Sequence, residues 1–527
     1  MRRHVLFRLL TLVAAVLPLI VVTAGPASAG THQRDGDWPT WQGDSLGSRH
    51  NAAERRINPA TAGRLTLKWA FGYAKSDAPV RSQPAVVDGV VYFGGPDGNF
   101  YARDARTGAA RWAFALSSVD PGAGAGLVWD GPTVAAGKVF FGDSRGYVYA
   151  LDQRTGRLIW ARDTESHPAG GHTSSPLYHD GRIYIGASSG ENTGGADYPC
   201  CTFRGHIDAL DARTGAQVWR YYTVPEPVQV GTWPSGAARF EPSGAGVWSS
   251  PVIDPATGTL YVGTGQNYTG SAGDFDSLLA LDARSGAVRW KNQVTDSDTW
   301  RSLCNDPNPE GYCPGLEDGS ALDYDIGATP NIIRLGNRTL VGVGQKSGVY
   351  HAFDARTGTV QWRRQLGVPL PSGGISGIQW GTSFDGRRLY VASYFAGPGT
   401  VFAVNPSDGQ VLWQTPHPAN GCTTGGAAAF PDVCQLAHTP AVTTSPGLVY
   451  EGSTDGKMRI YSARTGAVVW EFDTIREFRG VNGVTGFGSS ISGGGGAVVS
   501  DGMLYIQAGY WPFYPSEHGN VLLAFGL

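Results

Sequence analysis

One short unit recurs along this chain and limits how the chain can fold. The stretch ARDARTGAARW, which ends at Trp112, returns as ALDQRTGRLIW at Trp160, ALDARTGAQVW at Trp219, ALDARSGAVRW at Trp290, AFDARTGTVQW at Trp362, AVNPSDGQVLW at Trp413 and IYSARTGAVVW at Trp470. The spacing varies from 48 residues between the first two tryptophans to 72 between Trp290 and Trp362, so the insertions fall between units. In most copies an Asp and a Thr-Gly pair form a tight turn between two apolar stretches, which predicts a β-hairpin.

A second recurring strand precedes most units and completes the blade. It begins with PAVVDGVVYFG at Pro84 and PTVAAGKVFFG at Pro132, and related stretches begin at Pro176, Pro251 and Pro440. Each unit therefore holds about four short strands, which is the content of one propeller blade. The C-terminal GNVLLAFGL and the N-terminal LTLKWAF around Trp69 resemble two strands of one further blade, and their pairing would leave no open sheet edge. We predict an all-β, eight-bladed β-propeller closed by its terminal strands, as a single domain over residues 30–527.

The N-terminus indicates export. Arg2 and Arg3 precede an apolar stretch that ends in Ala27-Ser28-Ala29, which is typical of a secretory signal peptide over residues 1–29. An uncleaved membrane anchor is the weaker interpretation, because Arg8 and Pro18 interrupt the stretch. No later stretch is long and apolar enough to span a bilayer. We therefore expect an extracellular, periplasmic or envelope protein with no transmembrane segment after cleavage.

The cysteines and the net charge agree with that location. Six cysteines lie in three local couples, 200 with 201, 304 with 313 and 422 with 434, which predicts three disulfides formed in an oxidising compartment. The last two couples would each staple one short loop. The net charge of -3 shows no basic excess, so a nucleic acid partner is not expected.

The repeat A-x-D-x-x-T-G-x-x-x-W resembles the tryptophan-docking motif of the pyrroloquinoline quinone (PQQ) dehydrogenases over nearly the whole mature chain. In that family the tryptophan side chains wedge between blades, so most of the repeat tryptophans are expected to serve packing. Non-enzymatic propellers such as the outer-membrane assembly lipoproteins share the repeat. Function must therefore come from residues that the repeat does not require.

The adjacent pair Cys200-Cys201 is one such feature. A bond between neighbouring cysteines closes a small ring. A zinc site would need more ligands, and only His206 is near. In the PQQ alcohol dehydrogenases a vicinal disulfide packs on the quinone, and CCTFRG resembles the polyvinyl-alcohol dehydrogenases in particular. The resemblance implies that Cys200 and Cys201 contact the cofactor, and that Arg204 pairs either with the cofactor's carboxylates or with a neighbouring blade.

The segment of residues 172–191, HTSSPLYHDGRIYIGASSGE, carries the resemblance further. It is similar to the family segment in which a Thr and a Ser-Gly-Ala-Glu run bind the cofactor and a calcium ion. The match places Thr173 and Ser188 on the quinone and Glu191 on Ca²⁺, although Ser189-Gly190 stands here in place of Gly-Ala.

Four further residues are candidate cofactor or metal contacts through the same resemblance. Trp248 in GAGVWSSP would stack on the quinone face opposite the disulfide. In GTGQNYTG we expect Asn267 to supply an amide oxygen to the cation, with Gln266 as its rival, because hard cations prefer oxygen ligands. Trp380 and Asn482 are additional candidates for cofactor contact.

Alcohol oxidation also needs a base and a cation near the quinone. The family carries an Asp after a Trp that follows the fourth full motif, and here the Cys304–Cys313 loop intervenes before ALDYDIGATP. We expect the base to be Asp323, with Asp325 and then Asp298 as alternatives, because hydroxyl proton removal needs a carboxylate. Lys346 in GQKSGVYHAFD resembles the family lysine that hydrogen-bonds the quinone oxygens and would stabilise negative charge there.

Two functions of different classes follow from these patterns. The first is an exported dehydrogenase that uses PQQ and Ca²⁺ to oxidise secondary alcohols, a polymer among the candidate substrates. Because the sequence contains no C-x-x-C-H haem site, its electrons would pass to a separate cytochrome c or another acceptor. The second is a non-enzymatic propeller that binds proteins or glycans. Convergence of the candidate residues at one end of the propeller axis would favour the dehydrogenase.

Overall fold

The computed structural model describes Met1 and residues 36–74, 78–120, 126–306, 310–316, 319–369, 376–394, 398–491, 493–509 and 519–527. The predicted signal peptide lies, apart from Met1, outside the described residues. Eight antiparallel sheets follow one another around a closed ring; seven have four strands, and the third has the same four with Gly170–Gly171 added. The first strands of most neighbouring sheets contact one another around the axis. The prediction of an eight-bladed β-propeller is confirmed.

The blades are numbered here in chain order, and the first strand of each is called its inner strand. Blade 1 consists of Ala85–Val87, Val90–Gly94, Asn99–Asp104 and Ala110–Ala115, and blade 2 of Thr133–Ala135, Lys138–Gly142, Tyr147–Asp152 and Leu158–Asp163. Blade 3 consists of Leu177–His179, Arg182–Ser189, His206–Asp211 and Gln217–Tyr222, and blade 4 of Val252–Asp254, Thr259–Gly263, Ser277–Asp282 and Val288–Gln293. Blade 5 consists of Asn331–Leu335, Arg338–Gly344, Val349–Asp354 and Val360–Gln365, and blade 6 of Ser383–Phe384, Leu389–Ala392, Thr400–Val404 and Val411–Pro416. Blade 7 consists of Thr443–Ser445, Leu448–Gly452, Lys457–Ser462 and Val468–Asp473, and blade 8 of Val498–Ser500, Met503–Ala508, Val521–Gly526 and Thr66–Gly72.

The eighth blade closes the ring. Its outermost strand is the N-terminal Thr66–Gly72, which pairs antiparallel with the C-terminal Val521–Gly526. Both strands bury apolar side chains, so the two ends of the chain are held in the same sheet. The closure expected from the similarity of the two termini is confirmed.

The repeat tryptophans join each blade to the next. Eight of them donate the indole N–H to a backbone carbonyl of the following blade, or of the segment leading into it, at 3.0–3.3 Å. The pairs are Trp69 and Ala105, Trp112 and Gln153, Trp160 and Ala212, Trp219 and Ala283, Trp290 and Ala355, Trp362 and Pro406, Trp413 and Ala463, and Trp470 and Leu65. A half-buried indole thus gains both apolar contact and a satisfied N–H group.

The segment before the propeller ties the inner strands together. Residues 38–51 run across them and exchange backbone hydrogen bonds with six blades, through Val86, Val134, Ile253, Ile332, Phe384 and Thr444. The Asn51 side chain adds a bond to Val499 of blade 8 at 2.8 Å. Because this one continuous segment bonds to so many blades, it restrains the inner strands from moving apart at the axis.

Short elements occupy the insertions between blades. Two ribbons are formed by Val228–Thr232 with Ala238–Glu241 and by Glu477–Arg479 with Thr485–Phe487; smaller pairings join Ser243–Gly244 to Asn267–Thr269, Gly170–Gly171 to Arg182–Ser189, and Ala328–Thr329 to Trp380–Gly381. Single 3₁₀ turns lie at Ala62–Arg64, Leu116–Ser118, Glu191–Thr193, Ser302–Asn305, Gly421–Thr423 and Gly425–Ala429. Within the described ranges no helix is long and apolar enough to cross a membrane. The three predicted disulfides all form.

Blade docking can be tested by comparing a glycine of a repeat turn with a glycine of another turn. Gly286 has φ +74°, and an added Cβ would lie 2.8 Å from the Trp219 ring, whereas Gly336 has φ +60° and nothing within 4 Å. Gly336→Ala should therefore cost only the left-handed backbone penalty of about 1–2 kcal/mol. Gly286→Ala should cost about 1–3 kcal/mol more because it also overpacks the docked indole. Urea unfolding of both variants measures the difference, and equal losses would show that the Trp219 contact is not limiting.

Candidate active site

The segments that lead into the inner strands meet around one end of the axis. Trp248 lies before the inner strand of blade 4 and Trp380 before that of blade 6, and their indole rings meet edge to face with centroids 4.9 Å apart. Trp41 of the N-terminal segment is 6.3 Å from Trp380 on its other side. Trp248 and Trp380 are only half-buried, so the structure brings both predicted tryptophans to one accessible aromatic wall.

Hydrogen bonds between blades fix the positions of these segments relative to one another. The Gly131 N–H donates to the Ser175 hydroxyl at 2.8 Å, the Ser175 N–H to Ser250 at 2.9 Å, and the Ser250 N–H to Thr329 at 3.3 Å. The chain of bonds runs from blade 2 to blade 5. It therefore aligns four neighbouring entry segments independently of the outer strands.

A lysine between two aspartates forms the polar centre of the site. Lys346 Nζ donates to Asp323 Oδ1 at 2.7 Å and forms an ion pair with Asp325. The same Nζ lies 5.6 Å from the centroid of the Trp248 ring. The Trp248 indole N–H donates to Asp325 Oδ1 at 3.1 Å, and the Gln266 backbone N–H donates to the same oxygen at 3.0 Å. Asp323, Asp325, Lys346 and Trp248, predicted separately, are thus in direct contact.

The backbone around these side chains includes one position that only glycine can occupy and one residue in the left-handed conformation. A Cβ at Gly327 would lie 1.8 Å from the Trp248 ring, so only glycine lets the indole lie against this backbone. Asp323 itself has φ +57°, a conformation that is costly for a residue with a side chain.

Burial and mutual charge shift the proton affinities of the three groups. Burial raises the pKa of Asp323 well above its usual value, and the negative charge of Asp325 adds to the rise. Burial acts in the same direction on Asp325, but the Lys346 ammonium and hydrogen bonds from Asp323 and Trp248 outweigh it and lower the pKa. The two carboxylates raise the pKa of Lys346 despite its burial. The lysine therefore stays charged, and the two carboxyl groups differ in acidity, as acid and base groups at catalytic sites commonly do.

Asp298, the third candidate for the base, does not face the centre of the site. Its side chain is 1% exposed, and its carboxylate oxygens accept N–H bonds from the backbone of Leu322, Asp323 and Tyr324. The prediction of Asp298 as an alternative base is therefore not supported by its orientation.

Glu191 and the cysteine pair hold one loop together. Glu191 accepts N–H bonds from Thr202 at 2.8 and 3.0 Å and from Phe203 at 2.8 Å, just after the Cys200–Cys201 disulfide. Although burial acts to raise the pKa of Glu191, His167 and these N–H groups lower it. Calcium binding by Glu191 stays a prediction, and in the structure its two oxygens accept the N–H bonds that order this loop.

The disulfide is covered on all sides in this structure. Cys200 and Cys201 are 0% exposed and lie in a cluster with Phe203, Trp233 and Tyr268. Trp233 also donates its indole N–H to the Cys200 carbonyl at 3.1 Å. Contact of the pair with the cofactor stays a prediction. In the structure the pair belongs to a packed layer, in which Tyr268 donates to the Ser189 carbonyl at 2.9 Å.

The remaining predicted ligands of the cofactor or cation differ in whether their oxygen atoms already have a hydrogen-bond partner. Asn267 donates its amide N–H groups to Gly270 and Ala272, which turns its buried Oδ1 away from them, and that oxygen has no hydrogen-bond partner among the described groups. Such an oxygen is suited to a hard cation. The Thr173 and Ser188 hydroxyls are half-buried and bond to each other at 2.9 Å. In the described part of the chain no three His, Cys, Asp or Glu side chains are grouped to hold a metal, so a cation here would need amide or cofactor oxygens as well.

Two predicted cofactor contacts are directed elsewhere. Arg204 donates to the Val224 carbonyl at 3.1 Å, pairs with Glu226 at 2.5 Å and covers the Tyr222 ring at 3.7 Å, so its guanidinium is occupied at the edge of its own blade. Asn482 bonds through its amide to both backbone groups of Gly72 at 2.7 and 3.3 Å and thus fastens a ribbon to blade 8. Neither residue contacts the centre formed by Asp323, Asp325 and Lys346.

Sequence reasoning missed Arg81 and Trp129. The Arg81 guanidinium lies 4.8 Å from the Trp129 ring, and a Cβ at Gly494 would lie 3.4 Å from the Arg81 carbonyl and 4.0 Å from Trp380. A signal was present, because both residues stand three positions before the prolines that open their inner strands, as Trp248 does in blade 4. They extend the wall of the site into blades 1 and 2.

Comparison with known proteins agrees with this geometry. Residues 38–302 match the family model of the glucose/ethanol/alcohol dehydrogenase β-propeller domain, and residues 345–508 match that of outer membrane protein assembly factor BamB. The chain is 30% identical to a polyvinylalcohol dehydrogenase of a Pseudomonas species, over 89% of this chain and 74% of that protein. It is 31% identical to one of a Sphingopyxis species, over 92% and 76%. The chain belongs to the PQQ-dependent alcohol dehydrogenase family.

A solved structure supports the fold at lower identity. The quinohemoprotein alcohol dehydrogenase ADHIIG from Pseudomonas putida superposes with a TM-score of 0.69 at 20% identity, covering 94% of this chain and 80% of the other. This likeness shows that the two proteins share the fold.

The ion pairs at the centre make a stability prediction. Lys346→Met should cost about 3–5 kcal/mol at neutral pH in protein without metal or cofactor, because two buried carboxyl groups lose their cation. Burial then holds their pKa values above those of the unfolded chain, so the folded state binds more protons and its stability falls as pH rises above the ordinary pKa of aspartate. Lys291→Met is the control, since Lys291 is 54% exposed in its pair with Asp274 and should cost under about 1 kcal/mol. Chemical unfolding at several pH values would contradict the prediction if both variants lost stability equally at every pH.

Proposed function

We propose that this protein oxidises secondary alcohols with PQQ as its cofactor and that a hydroxylated polymer is among its substrates. The observation that carries the proposal is the contact of Asp323, Asp325 and Lys346 beside the half-buried Trp248. A scaffold protein has no need to bury two carboxylates and a lysine at its axis, because such a cluster costs desolvation energy. The polyvinylalcohol dehydrogenases to which the chain is similar supply the substrate class.

The residues at the centre suit the chemistry of alcohol oxidation. When bound, PQQ would supply an electrophilic carbonyl that takes a hydride from the alcohol carbon. The ionised form of Asp323, whose raised pKa makes it the stronger base of the two aspartates, would accept the hydroxyl proton, so that the alcohol leaves as a ketone and the cofactor gains two electrons. Lys346, already held by both carboxylates, would donate hydrogen bonds to developing negative charge. The indole planes of Trp248 and Trp380 would exclude water and orient a planar ring.

The orphaned amide oxygen of Asn267 supports a calcium ion at the site. A buried acceptor without a donor is costly unless a cation or water satisfies it. Glu191 retains lone pairs beyond those used by the loop and, with Gln266 as the alternative amide, would complete the protein ligands. We infer that Ca²⁺ binds here only together with oxygens of the cofactor, because the described protein groups do not close a site alone.

The same proposal includes export and a separate electron acceptor. The signal pattern of residues 1–29 and the three disulfides support an extracellular, periplasmic or envelope location. The similar lupanine 17-hydroxylase of a Pseudomonas species carries cytochrome c in its name, which supports transfer of electrons to a cytochrome c or another partner. The alternative, a non-enzymatic binding propeller, is favoured only by the match of residues 345–508 to an assembly-factor model.

Reconstitution tests the proposal. Apoprotein mixed with PQQ and Ca²⁺ should reduce a dye with polyvinyl alcohol and simple secondary alcohols, with glucose as a comparison substrate, and EDTA should lower turnover. Asp323→Asn should bind PQQ normally but lose about 10²–10⁴-fold in kcat, the range for removal of a general base. Asp211→Asn, in a repeat turn, is the control and should keep wild-type kcat. Failure of the wild type to bind PQQ under any condition would support the scaffold.

Variants of the Cys200–Cys201 pair distinguish a role in turnover from a role in stability. The double variant Cys200→Ser with Cys201→Ser should lower kcat at least about tenfold with a small loss of stability, because the packed layer under the site would shift. Cys304→Ser with Cys313→Ser is the matched control, which should lose about 2–3 kcal/mol and keep kcat. Thermal unfolding and steady-state kinetics are measured on both. Equal effects on folding and turnover in the first variant would make that disulfide a staple.

A further inference from the structure

Asp298 holds the backbone of the segment that carries the acidic residues of the site. Its Oδ1 accepts the N–H of Leu322 at 3.2 Å and of Asp323 at 2.9 Å, and its Oδ2 accepts the N–H of Tyr324 at 2.6 Å. Three consecutive N–H groups thus converge on one carboxylate. Bonds from N–H donors to an ionised acceptor are short and stronger than neutral ones.

The held segment has little regular structure of its own. Residues 321–327 belong to no strand or helix, and Asp323 within them is in the left-handed region. Beyond the contacts with Asp298, the segment is held by backbone bonds, such as Leu322 N–H to Ser320 at 3.0 Å and Lys346 N–H to the Asp325 carbonyl at 3.0 Å, and by the bonds that the Asp323 and Asp325 side chains make at the centre of the site. An unfavourable conformation persists only where surrounding contacts over-determine it. The Asp298 carboxylate supplies three such contacts from outside the segment.

We propose that Asp298 is a positioning residue: its carboxylate clamps the backbone of residues 322–324 and so keeps the Asp323 side chain against Lys346. The inference rests on the proposed role of Asp323 as the base. Asp298 acts only through the backbone and touches neither substrate nor cofactor. A base must lie within hydrogen-bond reach of the proton that it takes, and a displacement of about 1 Å can cost about 100-fold in rate.

Asp276 tests the alternative that the charge of the buried carboxyl cluster, and not the position of Asp323, decides kcat. Its side chain is 0% exposed and hydrogen-bonds to the Asp298 side chain, but it accepts none of the three N–H bonds from residues 322–324. Asp276→Asn therefore removes the neighbouring carboxyl group, whereas the three backbone N–H groups keep Asp298 as their acceptor. A second control, Asp211→Asn, weakens a carboxylate that likewise accepts consecutive backbone N–H bonds, from Arg213 at 3.0 Å and Thr214 at 2.8 Å, in a repeat turn.

The experiment compares the three variants as PQQ-loaded holoenzymes. Asp298→Asn turns an acceptor oxygen into an N–H donor that faces backbone N–H groups, so the loop should shift. We expect kcat for a small secondary alcohol to fall about 100-fold, while KM and PQQ affinity, measured by absorbance titration, change less than threefold. Asp276→Asn and Asp211→Asn should stay within threefold of wild type in all three quantities.

Three results would overturn the proposal. The first is a kcat for loaded Asp298→Asn within threefold of wild type. The second is an equal fall in Asp276→Asn, which would show that the charge of the cluster decides the rate. The third is loss of PQQ binding in Asp298→Asn, which would make the clamp a part of the cofactor pocket.

Hydrogen exchange of the wild-type protein tests the clamp without turnover. The amides of Leu322, Asp323 and Tyr324 should exchange at least 100-fold more slowly than unprotected amides, although they lie outside every strand, and Asp298→Asn should remove that protection. Free exchange in the wild type would overturn the proposal even if the variant did not fold. An inactive wild type with protected amides would instead count against the proposed dehydrogenase function alone, so the two failures are distinguishable.

Discussion

The docking of a tryptophan from each blade onto the turn of the next is the interaction on which the rest of this structure depends. Each contact includes an indole N–H bond to a backbone carbonyl, and seven of the eight add ring contact against a glycine of the repeat turn, as between Trp219 and Gly286. Because closely similar contacts recur at the blade junctions, the blades follow one another in a ring that closes after eight. Closure then removes the exposed sheet edges that an open array would carry.

A rigid ring explains how the centre of the site can hold buried charge. Asp323, Asp325 and Lys346 are each desolvated, and their mutual attraction offsets that cost only when the geometry is well fixed. The inter-blade bonds through Ser175 and Ser250 and the N-terminal segment across the inner strands restrain the entry segments that carry these side chains. Outer strands carry the docking motif, so insertions between blades can change the site without disturbing the ring.

The layer beneath the site gives the vicinal disulfide a broader role than contact with a cofactor. Glu191 binds the backbone that follows Cys201, Trp233 binds the backbone of Cys200, and Tyr268 joins this layer to Ser189. The cysteines, the acidic residue and the aromatic residues therefore act as one support. Their side chains pack or accept backbone hydrogen bonds, which favours stable placement of the loop at the site.

The amino-acid sequence by itself determined the blades, their number and the closure by the two termini, because these follow from local strand and turn patterns that repeat, and the three disulfides, because the cysteines lie in local couples. It also indicated Trp248, Asp323 and Lys346 through the family resemblance; Trp248 and Asp323 lie before inner strands, and Lys346 follows the second strand of blade 5. The tertiary structure alone decided that Arg204 pairs with Glu226, that Asn482 fastens a ribbon to Gly72, and that Asp298 faces the backbone of the 322–324 segment. The reason is physical: a repeat fixes where a backbone segment lies, whereas the partner of a long or buried polar side chain depends on groups distant in sequence.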